Sequence, residues 1–138
     1  MATTNWRVTE LAHYADDLKW LTADEASRAY ELALLYAAKT HYGLDTSTVI
    51  GIDRIVFDDD VSAANEWLGV HVGAAEKLVV VFNEASCFRC GADFFLKNWP
   101  DIFVPSRDDA VIYSTASPLI LFLCHENEIE AGQRIVYG

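Results

Sequence analysis

Five consecutive apolar residues, Leu78-Val79-Val80-Val81-Phe82, constrain this chain more than any other stretch. An amphipathic helix, or a strand with one wet face, would show polar residues at regular intervals. An unbroken, Val-rich run of this length therefore predicts a strand covered on both faces, near the middle of a sheet. The run is far shorter than the ~20 apolar residues a membrane-spanning helix needs.

The flanking sequence supplies the rest of the fold. Leu11, Tyr14, Ala15, Leu18 and Leu21 recur at helical spacing, with Thr9 placed as a cap. Thr22 and Glu25 have capping-box spacing, and the Ala- and Leu-rich segment behind them predicts a helix through Tyr42, ended by Gly43. Its apolar positions (Ala26, Ala29, Tyr30, Leu32, Ala33, Leu35, Tyr36) cover a broad surface, which predicts packing on both a helix and a sheet. Beyond Gly43 the β-branched residues from Val49 to Phe57 predict a strand, and Asp60 is placed to cap a short helix through Leu68. A short helix is expected over Gly91–Trp99, stopped by Pro100. Ala110–Ser114 and Leu119–Cys124, separated by four residues, predict a hairpin, and Arg134–Tyr137 a last strand pairing with it. No linker, repeat or low-complexity tract interrupts the chain. These elements predict an α+β fold, with N-terminal helices packed on a mostly antiparallel sheet of about five strands. One domain is expected over 1–138, helical across 6–42 and mixed strand and helix across 49–138.

Charge narrows the partners. Twenty-one Asp and Glu against ten Lys and Arg give a net charge of −11 on 138 residues. Such a field repels phosphate backbones and anionic lipid and attracts basic protein surfaces. The expected partner is a protein with a basic surface, not nucleic acid or membrane; the oligomeric state is left open. Met1-Ala2-Thr3-Thr4-Asn5 lacks a basic region followed by an apolar core, and the three cysteines are an odd number, so a reducing, cytoplasmic location is expected. The carboxylates cluster at predicted strand ends: Asp58, Asp59 and Asp60; Asp108 and Asp109; Glu126, Glu128 and Glu130. These eight are the candidate partner-binding residues. In the last trio a spacing of two would place all three carboxylates on one side of an extended segment.

Catalytic signatures are lacking. The sequence has no Gly-x-Ser-x-Gly elbow, phosphate loop or dinucleotide fingerprint, and His125-Glu126 is not followed by the second His of a zinc-protease helix. Asp58-Asp59-Asp60 fails as a calcium loop, with Ala63 at the glycine position. Cys87, Cys90, Cys124 and His125 are zinc-ligand types, but Cys124 and His125 are adjacent and would point to opposite faces of a strand. No metal or other cofactor is expected, and a non-enzymatic role is favoured.

Small, acidic and without a catalytic motif, the chain resembles as a class the immunity proteins of bacterial toxin systems. That resemblance implies an inhibitor neutralising a toxin through negatively charged loops. A second resemblance is local: residues 77–90, a buried-looking strand leading to Cys87-Phe88-Arg89-Cys90, are similar to thioredoxins. It implies Cys87 as an attacking thiolate at a helix start and Cys90 as the resolving thiol of a thiol-disulfide oxidoreductase.

Overall fold

The computed structural model describes residues 6–40, 42–58, 60–73, 76–104 and 108–135. Its strands are β1 (Lys19–Trp20), β2 (Val49–Val56), β3 (Lys77–Asn83), β4 (Ser86–Gly91), β5 (Ala110–Ser114), β6 (Leu119–Cys124) and β7 (Glu128–Arg134). They form one sheet in the order β1-β4-β3-β5-β6-β7-β2, and every neighbouring pair is antiparallel. The expected α+β class holds, with seven strands instead of about five. The additional two are β1 and β4.

Four helices accompany the sheet: α1 (Trp6–Glu10), α2 (Ala23–Tyr36), α3 (Val61–His71) and α4 (Ala92–Ile102). Because successive strand residues alternate faces, the core divides into two layers. On one face Leu78, Val80, Phe88, Ile112 and Leu121 pack with Leu68 of α3 and Phe95 and Trp99 of α4. On the other, Val79, Val81, Cys87, Ile120 and Phe122 pack with Ala26, Ala29 and Ala33 of α2. The strand expected to be covered on both sides is β3, and Leu78 through Val81 are all buried.

The N-terminal half departs from its expected outline. The first helix is short, and a 3-10 turn over Ala12–Tyr14 follows it, so Leu11 and Leu18 reach the core from separate turns. α2 has its capping box, with Thr22 accepting from the Glu25 N–H and the Glu25 carboxylate accepting from the Thr22 N–H. It ends at Tyr36, six residues before the predicted Tyr42. There the chain closes on itself: Ala38 N–H donates to the Gly43 carbonyl and Asp45 N–H to that of Tyr36, which delivers Leu44 to the sheet. The small residues of α2 face only the sheet, and Leu34 and Leu35 are exposed, so the expected second helix neighbour is replaced by solvent. Asp60 caps α3 as predicted, accepting from the Ala63 N–H at 3.0 Å. Pro100 lies inside α4, two residues before its end. The last strand begins at Glu128, earlier than the predicted Arg134, and pairs with β6 as expected; residues 136 and 137 of the prediction lie outside the described residues.

Beside the sheet edge, two residues of β2 oppose one of β7 between Ile50 and Asp53, a bulge with Gly51 at φ +64°. Gly132 sits opposite, where a Cβ would lie 2.5 Å from Val49 Cγ1 and 3.1 Å from the Ile50 carbonyl oxygen. No helix among the described residues is long and apolar enough to cross a membrane.

Candidate functional site

Antiparallel pairing gathers the acidic segments at one end of the sheet. The end of β2, the start of β7, the end of β6, the start of β5 and the β3–β4 turn all lie there. Asp58, Asp60, Asp108, Asp109, Glu126 and Glu128 therefore share an end, as does Glu84 of the β3–β4 turn, which sequence reasoning missed because that turn was read as part of a strand-to-helix unit. Asp59 falls outside the described residues. Glu130 lies further along β7.

The carboxylates have different fates within that end. Asp108 and Asp109 lie just before β5 and reach opposite sides of the sheet, Asp108 toward α4 and Asp109 toward α2. Asp108 is buried on the α4 side, where it accepts from Arg7 at 3.1 Å and from the Val104 N–H at 2.9 Å. Glu128 lies 3.3 Å from Arg54. Glu130 accepts from the Leu44 N–H at 2.7 Å and so fastens the loop after α2 to the sheet. Asp108 and Glu130 thus tie neighbouring segments to the sheet, and Glu128 forms a partly exposed pair with Arg54. Glu126 sits in the turn before β7, so only Glu128 and Glu130 of that trio share a strand face. Exposed carboxylates remain at Asp58, Asp60, Glu84 and Glu126, the last with 67% of its side chain accessible.

Asp109 belongs to a tighter group on the α2 side. The register Ala110↔Leu123 sets it opposite Cys124 one step further along, both pointing to the α2 face. β6 ends at Cys124, strand alternation stops there, and His125 turns back toward the pair. The expectation that adjacent Cys124 and His125 must diverge is thus corrected: Cys124 Sγ lies 3.9 Å from His125 Nδ1. Asp109 Oδ1 accepts from His125 Nδ1 at 2.8 Å and from its backbone N–H at 2.9 Å. Because an ionised carboxylate only accepts, the imidazole proton of this pair is on Nδ1. The hydrogen bond to Asp109 holds the imidazole pKa above its ordinary value, with the negative charges of Asp109 and Glu126 acting in the same sense. Burial, aided by the charges of Asp109, Glu126 and Glu128, keeps the Cys124 thiol protonated beyond its usual range.

Apolar side chains border the group. The Tyr42 ring packs edge-on against His125, centroids 4.9 Å apart, and is 61% exposed. Leu34, 46% exposed, shares with Asp109, Phe82 and Phe122 a cavity of about 110 Å³ under α2. Leu34 and Tyr42 are thus solvent-facing side chains at the sheet end that carries Asp109 and His125.

Cys87 and Cys90 do not form the arrangement expected of them. Both lie inside β4 and α4 begins only at Ala92, so no helix start supports Cys87. Three residues apart in a strand, they face opposite sides: Cys87 packs in the α2 layer and Cys90 in the α4 layer. Burial pushes their thiols up, to about 11 for Cys87 and about 12 for Cys90. The Cys87 thiol donates to the Asn83 carbonyl at 3.3 Å. A lowered thiol pKa and proximity, which thiol exchange requires, are missing at this pair. Nor do Cys87 and Cys90 join Cys124 and His125 in one ligand set, since β3 and β5 lie between β4 and β6 in the sheet.

Comparison with protein-family models, with curated proteins and with solved structures finds no match to this chain.

Proposed function

We propose that this chain is an acidic protein-binding module of the immunity type, which neutralises a basic toxin by covering it with the acidic end of its sheet. The observation that carries this reading is the exposed carboxylates of Asp58, Asp60, Glu84 and Glu126 at the same sheet end as exposed Leu34 and Tyr42. Interfaces draw most of their affinity from a few aromatic or apolar anchors, while surrounding charges raise the rate of encounter and select the partner's sign. A cleft built to hold phosphates would be attracted by the same carboxylates, which suits an inhibitor of a basic nuclease.

The test is association with the purified product of a toxin-like reading frame encoded next to this chain. Asp58→Asn combined with Glu126→Gln is expected to slow association and flatten its salt dependence; Tyr42→Ala is expected to speed dissociation by tenfold or more, about 1.4 kcal/mol or above. Association rates unchanged at every ionic strength in the charge variant would remove this surface from consideration.

A further inference from the structure

The ends of β5 and β6 bring together three side chains of different donor chemistry, a carboxylate, a thiol and an imidazole, whose ligand atoms all lie within 4.8 Å of one another. We propose that Asp109, Cys124 and His125 are a binding site for a thiophilic divalent transition metal, zinc foremost. The donor set itself selects the ion. Calcium and magnesium take oxygen ligands, whereas sulfur with imidazole and carboxylate suits zinc and its neighbours.

Two of the three ligand spacings lie close to those of tetrahedral ligation, and the third, Asp109 oxygen to Cys124 Sγ, is within 4.8 Å. Zinc bond lengths put imidazole nitrogen and carboxylate oxygen about 3.4 Å apart in a tetrahedron, and nitrogen and sulfur about 3.6 Å apart. Here Nδ1 lies 2.8 Å from Asp109 Oδ1 and 3.9 Å from Cys124 Sγ. The first contact must open and the second close, each by about 0.6 Å or less. The proton now shared between Nδ1 and Asp109 occupies the metal's place. On binding, that proton and the thiol proton of Cys124 pass to solvent, which leaves imidazole, thiolate and carboxylate around the cation.

The surroundings support the same assignment. A metal-bound histidine normally directs its second ring nitrogen to a carboxylate or carbonyl, which fixes its orientation. Glu126 Oε1 lies 3.8 Å from His125 Nε2, within reach of a small side-chain movement though not hydrogen-bonded, and the ring packs against Tyr42. Asp109 and Cys124 are set by the β5–β6 ladder, so two ligands come from a rigid hairpin end. Partial exposure of Asp109 and His125 leaves a solvent-side position for a fourth ligand. None of this depends on the proposed protein partner, because the isolated chain carries all three donors.

The experiment is titration of the full, untagged chain, reduced and stripped of metal by chelation, with Co²⁺ and then with Zn²⁺. One equivalent of cobalt is expected to bind with a near-ultraviolet thiolate-to-cobalt charge-transfer band and intense visible bands of tetrahedral type, both removed by zinc. Cys124→Ser should lose the charge-transfer band, and Cys87→Ser and Cys90→Ser should keep it. His125→Gln and Asp109→Asn should weaken cobalt binding roughly tenfold or more, with folding checked by circular dichroism. Glu126→Gln, which leaves all three ligands in place, should weaken binding less than either. A folded wild-type chain without the band in a large excess of cobalt, or a band that persists in Cys124→Ser, overturns the assignment.

Discussion

Asp108 and Asp109 illustrate how much a single step along the chain matters. The Asp108 carboxylate is fully buried against an Arg7 guanidinium that stacks on Trp6 and Phe82 at 4.3 Å from each ring centre. Asp109 is partly exposed. Removing one partner of a buried pair leaves an uncompensated charge, so Asp108→Ala should cost about 3 kcal/mol or more, while Asp109→Asn should cost less than about 1 kcal/mol; urea unfolding of both variants checks the contrast. The buried thiols give a second expectation. Cys87 and Cys90, with pKa values of about 11 and 12, carry almost no thiolate at neutral pH, so a thiol reagent should label them only as fast as the protein opens. Their sign with pH is fixed. A folded-state value above the unfolded one, about 8.5, gives stability that is complete below pH 8.5 and is lost as pH rises from there toward 12. Alkaline unfolding that begins later in Cys87→Ala and Cys90→Ala would agree with this, and an unchanged onset would not.

Among the elements, the β2 bulge is the most sensitive to small changes. A methyl at Gly132 would overlap Val49 and the Ile50 carbonyl, so Gly132→Ala should destabilise by about 1–3 kcal/mol. At Gly51 the added methyl meets nothing, and Gly51→Ala should cost only the left-handed backbone term, about 1–2 kcal/mol. Thermal or urea unfolding separates the two. Acid acts at other joints. Asp53 accepts from His71 and Trp67 of α3, and Asp101 of α4 accepts from Tyr14 and lies 3.3 Å from His13, so hydrogen bonds hold both carboxyls below their usual range. Stability from them is present above pH ~4 and is lost as pH falls through their lowered values. Asp53→Asn and Asp101→Asn together should therefore flatten the acid limb of a stability profile.

The same elements show what could be read in advance. The Leu78–Val81 run, the Thr22–Glu25 capping box, the Asp60 cap and the β5–β6 hairpin each carry a local signal, and each is where it was expected. β4 carries none: its buried Cys87, Phe88 and Cys90 spell a motif with an unrelated meaning, and only tertiary pairing with β3 makes it a strand. β1 is two residues long and has no period to detect. The Asp109–Cys124–His125 group was hidden for a similar reason. Strand alternation predicts divergence, and the group exists because β6 ends at Cys124 and His125 lies in the turn.

For the whole molecule, part of the negative charge is engaged by Arg7, Arg54 and the Leu44 N–H, and the exposed acids are spread over the surface, with Asp58, Asp60, Glu84 and Glu126 sharing one end of the sheet. Encounter with a cationic partner should therefore slow steeply with salt, and the slope should respond to Glu126 more than to Glu130, whose loss should instead loosen the loop after α2. Stopped-flow rates across ionic strength, set beside unfolding curves for Glu126→Gln and Glu130→Ala, separate the two roles.

The margins of the sheet carry a consequence of their own. β1 offers only two residues at one side, and the other side is twisted by the Gly51 bulge and studded with Asp53 and Arg54. Templates for fibril growth need a long, flat, unpaired backbone, and neither flank provides one. Recruitment by strand addition is disfavoured with it, so a macromolecule captured by this chain is expected to be recognised mainly through side chains.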